Sequence, residues 1–301
     1  MVTAEGSSFW TPSTEHAYED PTLDEVVRAY SVFLEVREPK QHKLFEKRLR
    51  DNRDAASSEA AIFSWLRSEK LAPRINEEPG KVGADFHCSP ATGTPFLLEV
   101  TSLNAVSVAN QSTWPNRSEL DNIAGHFKMV TPQLSVKAID KARQLSSGYA
   151  CIPGVLAICL VHPGASALLG TLAAQWLMAS EPRIRAPIRM PEEGPEPAQL
   201  ITDLKYSVFL ASEGGMIVPA RESISAILLV ALWKRQLEVV GMLHPKPTAV
   251  FDYRILPEVP FLRVGWPITS LINMEWVVGS PQARSVCYRK VELTTDELSK
   301  G

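Results

Sequence analysis

Two long apolar segments constrain the fold of this chain more than any other feature of its sequence. They cover residues 152–161 and 224–233, and each is about half as long as the roughly 20 residues that a membrane-spanning helix needs. Runs of this length are typical of β-strands. The sequence therefore predicts strands in both places and no membrane contact.

Composition narrows the class of protein further. Of the 301 residues, 45% are hydrophobic and 22% are charged, values close to the globular average. The net charge is -3, so contact with nucleic acid or anionic lipid would need a local basic patch. The N-terminal segment lacks the features of a signal peptide, and the four cysteines are scattered without a CxxC pair. We therefore expect a cytoplasmic protein with reduced thiols.

The order of the predicted elements indicates an α/β protein. Residues 1–20 are polar and acidic and predict a flexible tail, and we expect residues 21–301 to form a single domain. Helices are predicted over residues 23–36, 57–70, 132–146 and 165–178, and strands over residues 82–88, 96–103, 154–161, 206–210, 224–233, 239–244 and 261–264. This order favours a central mixed β-sheet flanked by helices.

A basic stretch covers residues 37–53. Its cations, interleaved with only a few acids, include Lys40, Lys43, Lys47, Arg48 and Arg50. The pattern is typical of a solvated helix face, and the alternative interpretation is a face that contacts phosphates.

The helix predicted over residues 57–70 carries an acid within its apolar stripe. The stripe has the spacing i, i+3, i+4 and i+7 and consists of Glu59, Ile62, Phe63 and Leu66. A buried carboxylate at Glu59 would need a partner or a metal. Alternatively, with Ser57 or Ser58 as the N-cap, Glu59 is a partly exposed first-turn residue stabilised by the helix dipole.

Two acids lie on the strands of a predicted hairpin. A cluster of turn-forming residues at 89–95 separates the strands, and Asp85 and Glu99 are equidistant from its centre, Thr92. They would therefore face each other with Cβ atoms about 4.5–5.5 Å apart, where like charges repel unless a cation lies between them. Carboxylate oxygens without a thiolate suit Mg²⁺ or Mn²⁺. Such an ion activates water, and phosphodiester hydrolysis is the reaction class that follows.

Other common motifs are absent from the sequence. There is no GxGxxG, Walker loop, GxSxG elbow or HExxH helix. The six histidines, which include His87, His162 and His244, are not spaced as zinc ligands. We expect them to lie at the surface or in loops.

The hairpin resembles the PD-(D/E)XK nuclease superfamily, whose members have the restriction-endonuclease-like fold. The resemblance is carried by two motifs, Gly83-Ala84-Asp85-Phe86 and Phe96-Leu97-Leu98-Glu99-Val100-Thr101. It extends over residues 55–165, where a helix with an inward acid, the hairpin, a helix and a strand follow in the family's order. It implies a restriction-endonuclease-like core with additional strands towards the C-terminus.

The resemblance also implies roles for individual residues. Asp85 and Glu99 would hold the metal, Mg²⁺ or Mn²⁺, and the carbonyl of Val100 would supply a third oxygen. Glu59 would be an outer or additional ligand.

Thr101 occupies the position of the family's lysine and cannot supply a cation to the transition state. Lys141 is a candidate replacement, because lysines of some relatives lie on the helix after the hairpin. It belongs to the inward stripe of that helix, which comprises Leu134, Ala138, Lys141 and Leu145. The alternative is that Lys141 extends along the helix edge into water. Gln144 resembles a glutamine that some relatives add to the site, although a solvated surface position is the alternative.

Three hypotheses follow. The first is a metal-dependent endonuclease or other phosphodiesterase, with nucleic acid, DNA rather than RNA, as its partner and a homodimer as a further candidate assembly. The second is a catalytically inactive nuclease-fold protein that binds nucleic acid or protein, as Thr101 and the net charge suggest. The third is an unrelated α/β protein whose hairpin acids are solvated. Convergence of Asp85, Glu99 and the ammonium of Lys141 or Lys81 around an open pocket would favour the first.

Overall fold

The computed structural model describes most of the chain between residues 21 and 290. The described ranges are 21–76, 83–104, 123–146, 151–180, 183–185, 199–201, 204–213, 216–233, 236–268, 272–279 and 288–290. The tail predicted for residues 1–20, the first residue of the strand predicted over 82–88, and Lys81 lie outside them.

Three helices open the described chain, and nine strands follow its last α-helix. The helices are α1 (Pro21–Arg37), α2 (Pro39–Asp51), α3 (Arg53–Ser68), α4 (Ile123–Ser146), α5 (Ala165–Leu168) and α6 (Thr171–Ala179), with a 3-10 helix at Tyr253–Ile255. The strands are β1 (Pro73–Ile75), β2 (Phe86–Cys88), β3 (Phe96–Ser102), β4 (Gly154–Val161), β5 (Arg183–Arg185), β6 (Gln199–Ile201), β7 (Leu210–Glu213), β8 (Met216–Pro219), β9 (Ala226–Trp233), β10 (Gln236–Leu243), β11 (Pro260–Val264), β12 (Met274–Val278) and β13 (Tyr288–Lys290).

The main sheet is mixed, as the sequence predicts. Its strand order is β1-β2-β3-β4-β9-β10-β11-β12, and β13 pairs with β10. The β3–β4, β4–β9 and β10–β11 pairs are parallel, and the other pairs are antiparallel. Two small antiparallel pairs, β5–β6 and β7–β8, stand apart from it.

Helices cover both faces of this sheet. Leu98 and Ala157 belong to the core that the sheet shares with α1, α2 and α3. Leu97 and Ile158 belong to the core on the other face, which includes α4, α5 and α6. All eight residues of β4 are buried. A central strand covered on both faces has no solvent side, which explains its continuous apolar sequence.

All four predicted helices have different bounds in the structure, although α1 differs by only two residues at its start and one at its end. α3 begins at Arg53 because Asn52, not Ser57 or Ser58, is its N-cap, accepting a hydrogen bond from Ala55 N at 3.2 Å. α4 begins at Ile123 and contains Pro132, which the sequence predicted as its start. The helix predicted over residues 165–178 is divided into α5 and α6.

The strand predictions were wrong at residues 206–209, and they missed six short strands, β1, β5, β6, β8, β12 and β13. Residues 206–209 form turns and bends, and the strand starts at Leu210. Ser207 Oγ donates to Met178 O at 2.5 Å and accepts from Leu210 N at 3.0 Å, so local side-chain bonds replace a ladder there. The missed strands have three to five residues, and β1 in addition begins with proline, so each has little sequence signal.

Two histidines expected at the surface or in loops, His162 and His244, lie outside the helices and strands and are buried. His162 Nδ1 accepts from Gly164 N at 2.9 Å, and burial lowers the pKa of this imidazole to about 4. His244 packs edge-on against Phe209 and bonds through Nε2 to Ala220 O at 2.9 Å. Both are therefore core residues. None of the described helices is both long and apolar enough to cross a membrane.

Candidate active site

A pocket of about 320 Å³ lies beside β3, where this strand continues past the start of β2. Residues from α2, α3, β3, α4 and the segment before β2 line it. The five side chains predicted for the site, from three separate parts of the chain, all line this one pocket: Glu59, Asp85, Glu99, Lys141 and Gln144. Val100 lines it too.

The β2–β3 hairpin has the register predicted from its turn. Phe86 pairs with Leu98, and Cys88 pairs with Phe96. Asp85, however, is not a strand residue, because β2 begins one residue later at Phe86. The prediction that both acids lie within the strands is therefore wrong for Asp85, which lies one residue before β2.

The Asp85 carboxylate ends the ladder by replacing one of its bonds. Asp85 Oδ2 accepts a hydrogen bond from Val100 N at 2.7 Å. In a continued ladder Val100 N would instead bond to the carbonyl of Ala84, which here accepts from Asn76 Nδ2 at 3.0 Å. The Asp85 carboxylate is thus held against the backbone of the residue that follows Glu99.

The carbonyl of Val100 points to the same edge of β3 as its N–H. Backbone groups of one strand residue share an edge, and successive residues alternate between edges. Leu97 N and Leu103 N bond towards β4, to Pro153 O at 2.9 Å and Cys159 O at 2.8 Å. Val100 therefore presents its carbonyl on the Asp85 side, as the predicted third oxygen requires.

The side chain of Glu99 lies on the face of β3 that α4 covers. It is buried, at 3% exposure, and Lys141 Nζ donates to its Oε1 at 2.5 Å. The rest of the inward stripe of α4 is buried as predicted: Leu134, Ala138 and Leu145. Lys141 therefore neutralises a carboxylate that would be costly to bury alone, and does not extend along the helix edge into bulk water.

Thr101 lies on the same face of β3 as Glu99 and is also buried. Its hydroxyl carries no charge at any relevant pH. Within the pocket, an ammonium group beside Glu99 comes from α4 and not from β3.

Glu59 is held by two partners on the helical side of the pocket. Tyr30 Oη donates to Glu59 Oε1 at 3.0 Å, and the Arg48 guanidinium donates to Oε2. Burial and the neighbouring Glu59 carboxylate raise the pKa of Tyr30 well above its usual value. Because α3 begins at Arg53, Glu59 lies in its second turn and is 8% exposed. The interpretation as a partly exposed first-turn residue is wrong.

Charges of both signs line the pocket. Among its described lining residues, three carboxylates face three cations: Glu59, Asp85 and Glu99 against Arg48, Lys137 and Lys141. Arg48 and Lys141 are already paired with acids. A negatively charged phosphate would therefore meet cations on both the α2 and α4 walls.

Sequence reasoning did not assign Arg48, Tyr30 or Lys137 to the site. An acid in the apolar stripe of α3 signals that some partner exists, but not which one. Tyr30 and Arg48 reach Glu59 because α1 and α2 pack on α3. That packing has no local signature in the sequence.

The donor set of the pocket fits a hard divalent cation that retains water. Within the part of the chain described, no group of three His, Cys, Asp or Glu side chains is placed to enclose a metal ion. Mg²⁺ needs less from the protein, since one or two carboxylates suffice when waters and substrate oxygens complete its shell. Asp85, Glu99 and the carbonyl of Val100 are oxygen donors of this kind, and all three residues line the pocket.

Comparisons with protein-family models, curated proteins and solved structures found no match to this chain. The resemblance to the PD-(D/E)XK superfamily therefore stays a prediction from the hairpin motifs.

Proposed function

We propose that this protein is a metal-dependent nuclease that hydrolyses phosphodiester bonds in DNA. The observation that carries the proposal is the 2.5 Å contact between Lys141 Nζ and Glu99 Oε1, in a pocket that Asp85 also lines. Two carboxylates and an ammonium group around one opening are the parts that the nuclease chemistry requires. The proposed partner is nucleic acid, and the homodimer remains a prediction. A cytoplasmic location is also proposed, in agreement with the free thiols of Cys88, Cys151 and Cys159.

Asp85, Glu99 and the Val100 carbonyl would hold Mg²⁺ or Mn²⁺. When bound, the ion polarises a phosphoryl oxygen and lowers the pKa of a coordinated water. Val100 N fixes the Asp85 carboxylate through its 2.7 Å hydrogen bond, so this ligand is oriented before any ion arrives. Glu59, restrained by Tyr30 and Arg48, would be an outer acid that accepts hydrogen bonds from water.

Lys141 takes the role that Thr101 cannot fill. Its ammonium carries two remaining N–H donors besides the one directed at Glu99. These can hold the attacking water or a phosphate oxygen as negative charge develops there. Gln144, one turn further along α4 and in the same pocket, adds an uncharged donor and acceptor for the same purpose.

The direct test is nicking of supercoiled plasmid with Mg²⁺ or Mn²⁺. We expect Glu99→Gln to reduce the rate by at least about 100-fold, the usual effect of losing one transition-state contact. Glu275→Gln is the matched control, because Glu275 is an exposed acid paired with Arg263 on β12 and β11. Equal nicking by wild type and Glu99→Gln would remove the catalytic assignment.

One observation favours a second candidate, a nuclease-like protein that binds nucleic acid without cleaving it. Glu59 and Glu99 each already have a cationic partner, which lowers the charge available to a metal. Such a protein would bind DNA equally well with EDTA and after Asp85→Asn. Strict dependence of binding on a divalent ion would count against it.

A further inference from the structure

The outer face of α2 carries a row of cations that the proposed active site does not use. We name this row the α2 stripe, and it consists of Lys40, Lys43, Lys47 and Arg50. Its members are spaced by three or four residues and therefore share one side of the helix. All four are exposed, whereas Gln41 and Phe45 on the opposite side are buried.

The charges of the α2 stripe are not neutralised within the described structure. None of its four members forms an ion pair with a described residue. Glu46, an acid of the same helix, is turned away and accepts from Ser31 Oγ at 2.7 Å. Asp51 is exposed at the end of α2. Its single negative charge is smaller than the four positive charges of the stripe, so this face of the helix stays positively charged. Like charges one turn apart disfavour the helix, so a bound anion would relieve this repulsion.

The C-terminal end of α2, which carries Lys47 and Arg50, reaches the pocket through Arg48 and Asn52. Lys47 and Arg50 lie in the last two turns of α2, and Arg48 between them lines the pocket wall. The residue after the helix, Asn52, also lines the pocket. One short helix therefore joins the outward cations to the proposed site of phosphodiester cleavage.

The dimensions of the α2 stripe suit a nucleic-acid backbone. At a rise of about 1.5 Å per residue, Lys40 and Arg50 are about 15 Å apart along the helix axis. One strand of B-form DNA advances about 3.4 Å per phosphate along its axis, so about four phosphates cover the same length. Because the whole chain carries a net charge of -3, binding a polyanion requires a local row of this kind.

We propose that the α2 stripe binds the phosphate backbone of the nucleic acid whose scissile phosphate enters the pocket. This inference rests on the proposed nuclease function for its choice of ligand. The stripe itself contributes affinity without base recognition, since lysines and arginines on a helix surface contact phosphates and not base edges.

The test measures binding of a fluorescein-labelled 20-base-pair DNA duplex as a function of salt, in EDTA so that cleavage does not interfere. Each phosphate contact contributes about 0.9 to the slope of log affinity against log salt. We expect the double variant Lys43→Gln/Lys47→Gln to lower this slope by about 2. The matched control is Lys205→Gln/Lys246→Gln, which removes two exposed cations elsewhere and gives the same net charge.

Equal slopes for wild type and the α2 double variant, or an equal loss in the control, would overturn the proposal. Binding of poly-glutamate by a protein that does not bind the duplex would overturn it too, in favour of an acidic protein ligand. Thermal melting of both double variants checks folding, and we expect no loss because the side chains are exposed. The nuclease proposal fails separately, if the wild type binds with the expected slope but does not nick plasmid.

Discussion

Removal of the Lys141 ammonium should destabilise the folded protein through the carboxylate that it leaves behind. Glu99 is 3% exposed, and Lys141 Nζ is 2.5 Å from its Oε1. Breaking a buried ion pair from one side costs about 3–5 kcal/mol. Since 24% of the Lys141 side chain is exposed, we expect the lower end of this range, about 3 kcal/mol, for Lys141→Met.

Urea unfolding at pH 7 of wild type, Lys141→Met, Glu99→Gln and the double variant measures the coupling between the two groups. The double variant should be more stable than the sum of the two single effects implies, by about 2 kcal/mol, because neither partner is then left charged and alone. Arg263→Met is the control, since Arg263 and Glu275 are as close, at 2.6 Å, but 46% and 55% exposed. That substitution should cost below about 1 kcal/mol. A Lys141→Met effect as small as that of the control, with no coupling to Glu99, would refute the reasoning.

Three further predictions concern groups around the core and the site. Burial lowers the pKa of His162 to about 4. As the pH falls, the unfolded chain therefore takes up this proton before the folded protein does. The free energy of unfolding should decrease by about 3 kcal/mol between about pH 6.5 and pH 4. His162→Asn, whose amide oxygen can still accept from Gly164 N, should abolish that part of the pH dependence in unfolding measured at each pH, and an unchanged pH profile would contradict the prediction. Tyr30→Phe removes the hydroxyl that donates to Glu59 Oε1 at 3.0 Å and should lower the free energy of unfolding by about 2 kcal/mol; denaturation showing a loss below about 0.5 kcal/mol would indicate that this bond is dispensable. Asn52→Ala should cost about 1 kcal/mol in the same assay, because it removes the N-cap of α3, and a neutral result would mean that another group satisfies the helix end.

The central strands and the hairpin could be predicted because their signals are local. β4 coincides with an apolar run that has no polar side, and β9 lies within the second such run. The turn centred on Thr92 determined the β2–β3 register. The inward stripe of α4 placed Lys141 correctly because helical periodicity is a property of the segment itself.

Features that depend on contacts between distant segments could not be predicted. The partners of Glu59 come from α1 and α2, and the hydrogen bond from Asn76 to the Ala84 carbonyl joins the end of β1 to the start of β2. The start of α3 was missed because the serines at 57 and 58 are good N-cap residues locally, yet both are buried inside the helix. Burial of His162 likewise depends on the packing around the end of β4.

The rate of plasmid nicking by Lys141→Met, relative to wild type at equal DNA occupancy in Mg²⁺, tests the central claim most directly. The ammonium on α4 is assigned to the reaction itself and not to the affinity for DNA. We therefore predict that wild type nicks the plasmid and that Lys141→Met, compared at a temperature where both remain folded, binds DNA but nicks about 100-fold more slowly. Equal rates for the two proteins, or no nicking by DNA-bound wild type with either Mg²⁺ or Mn²⁺, would contradict the account.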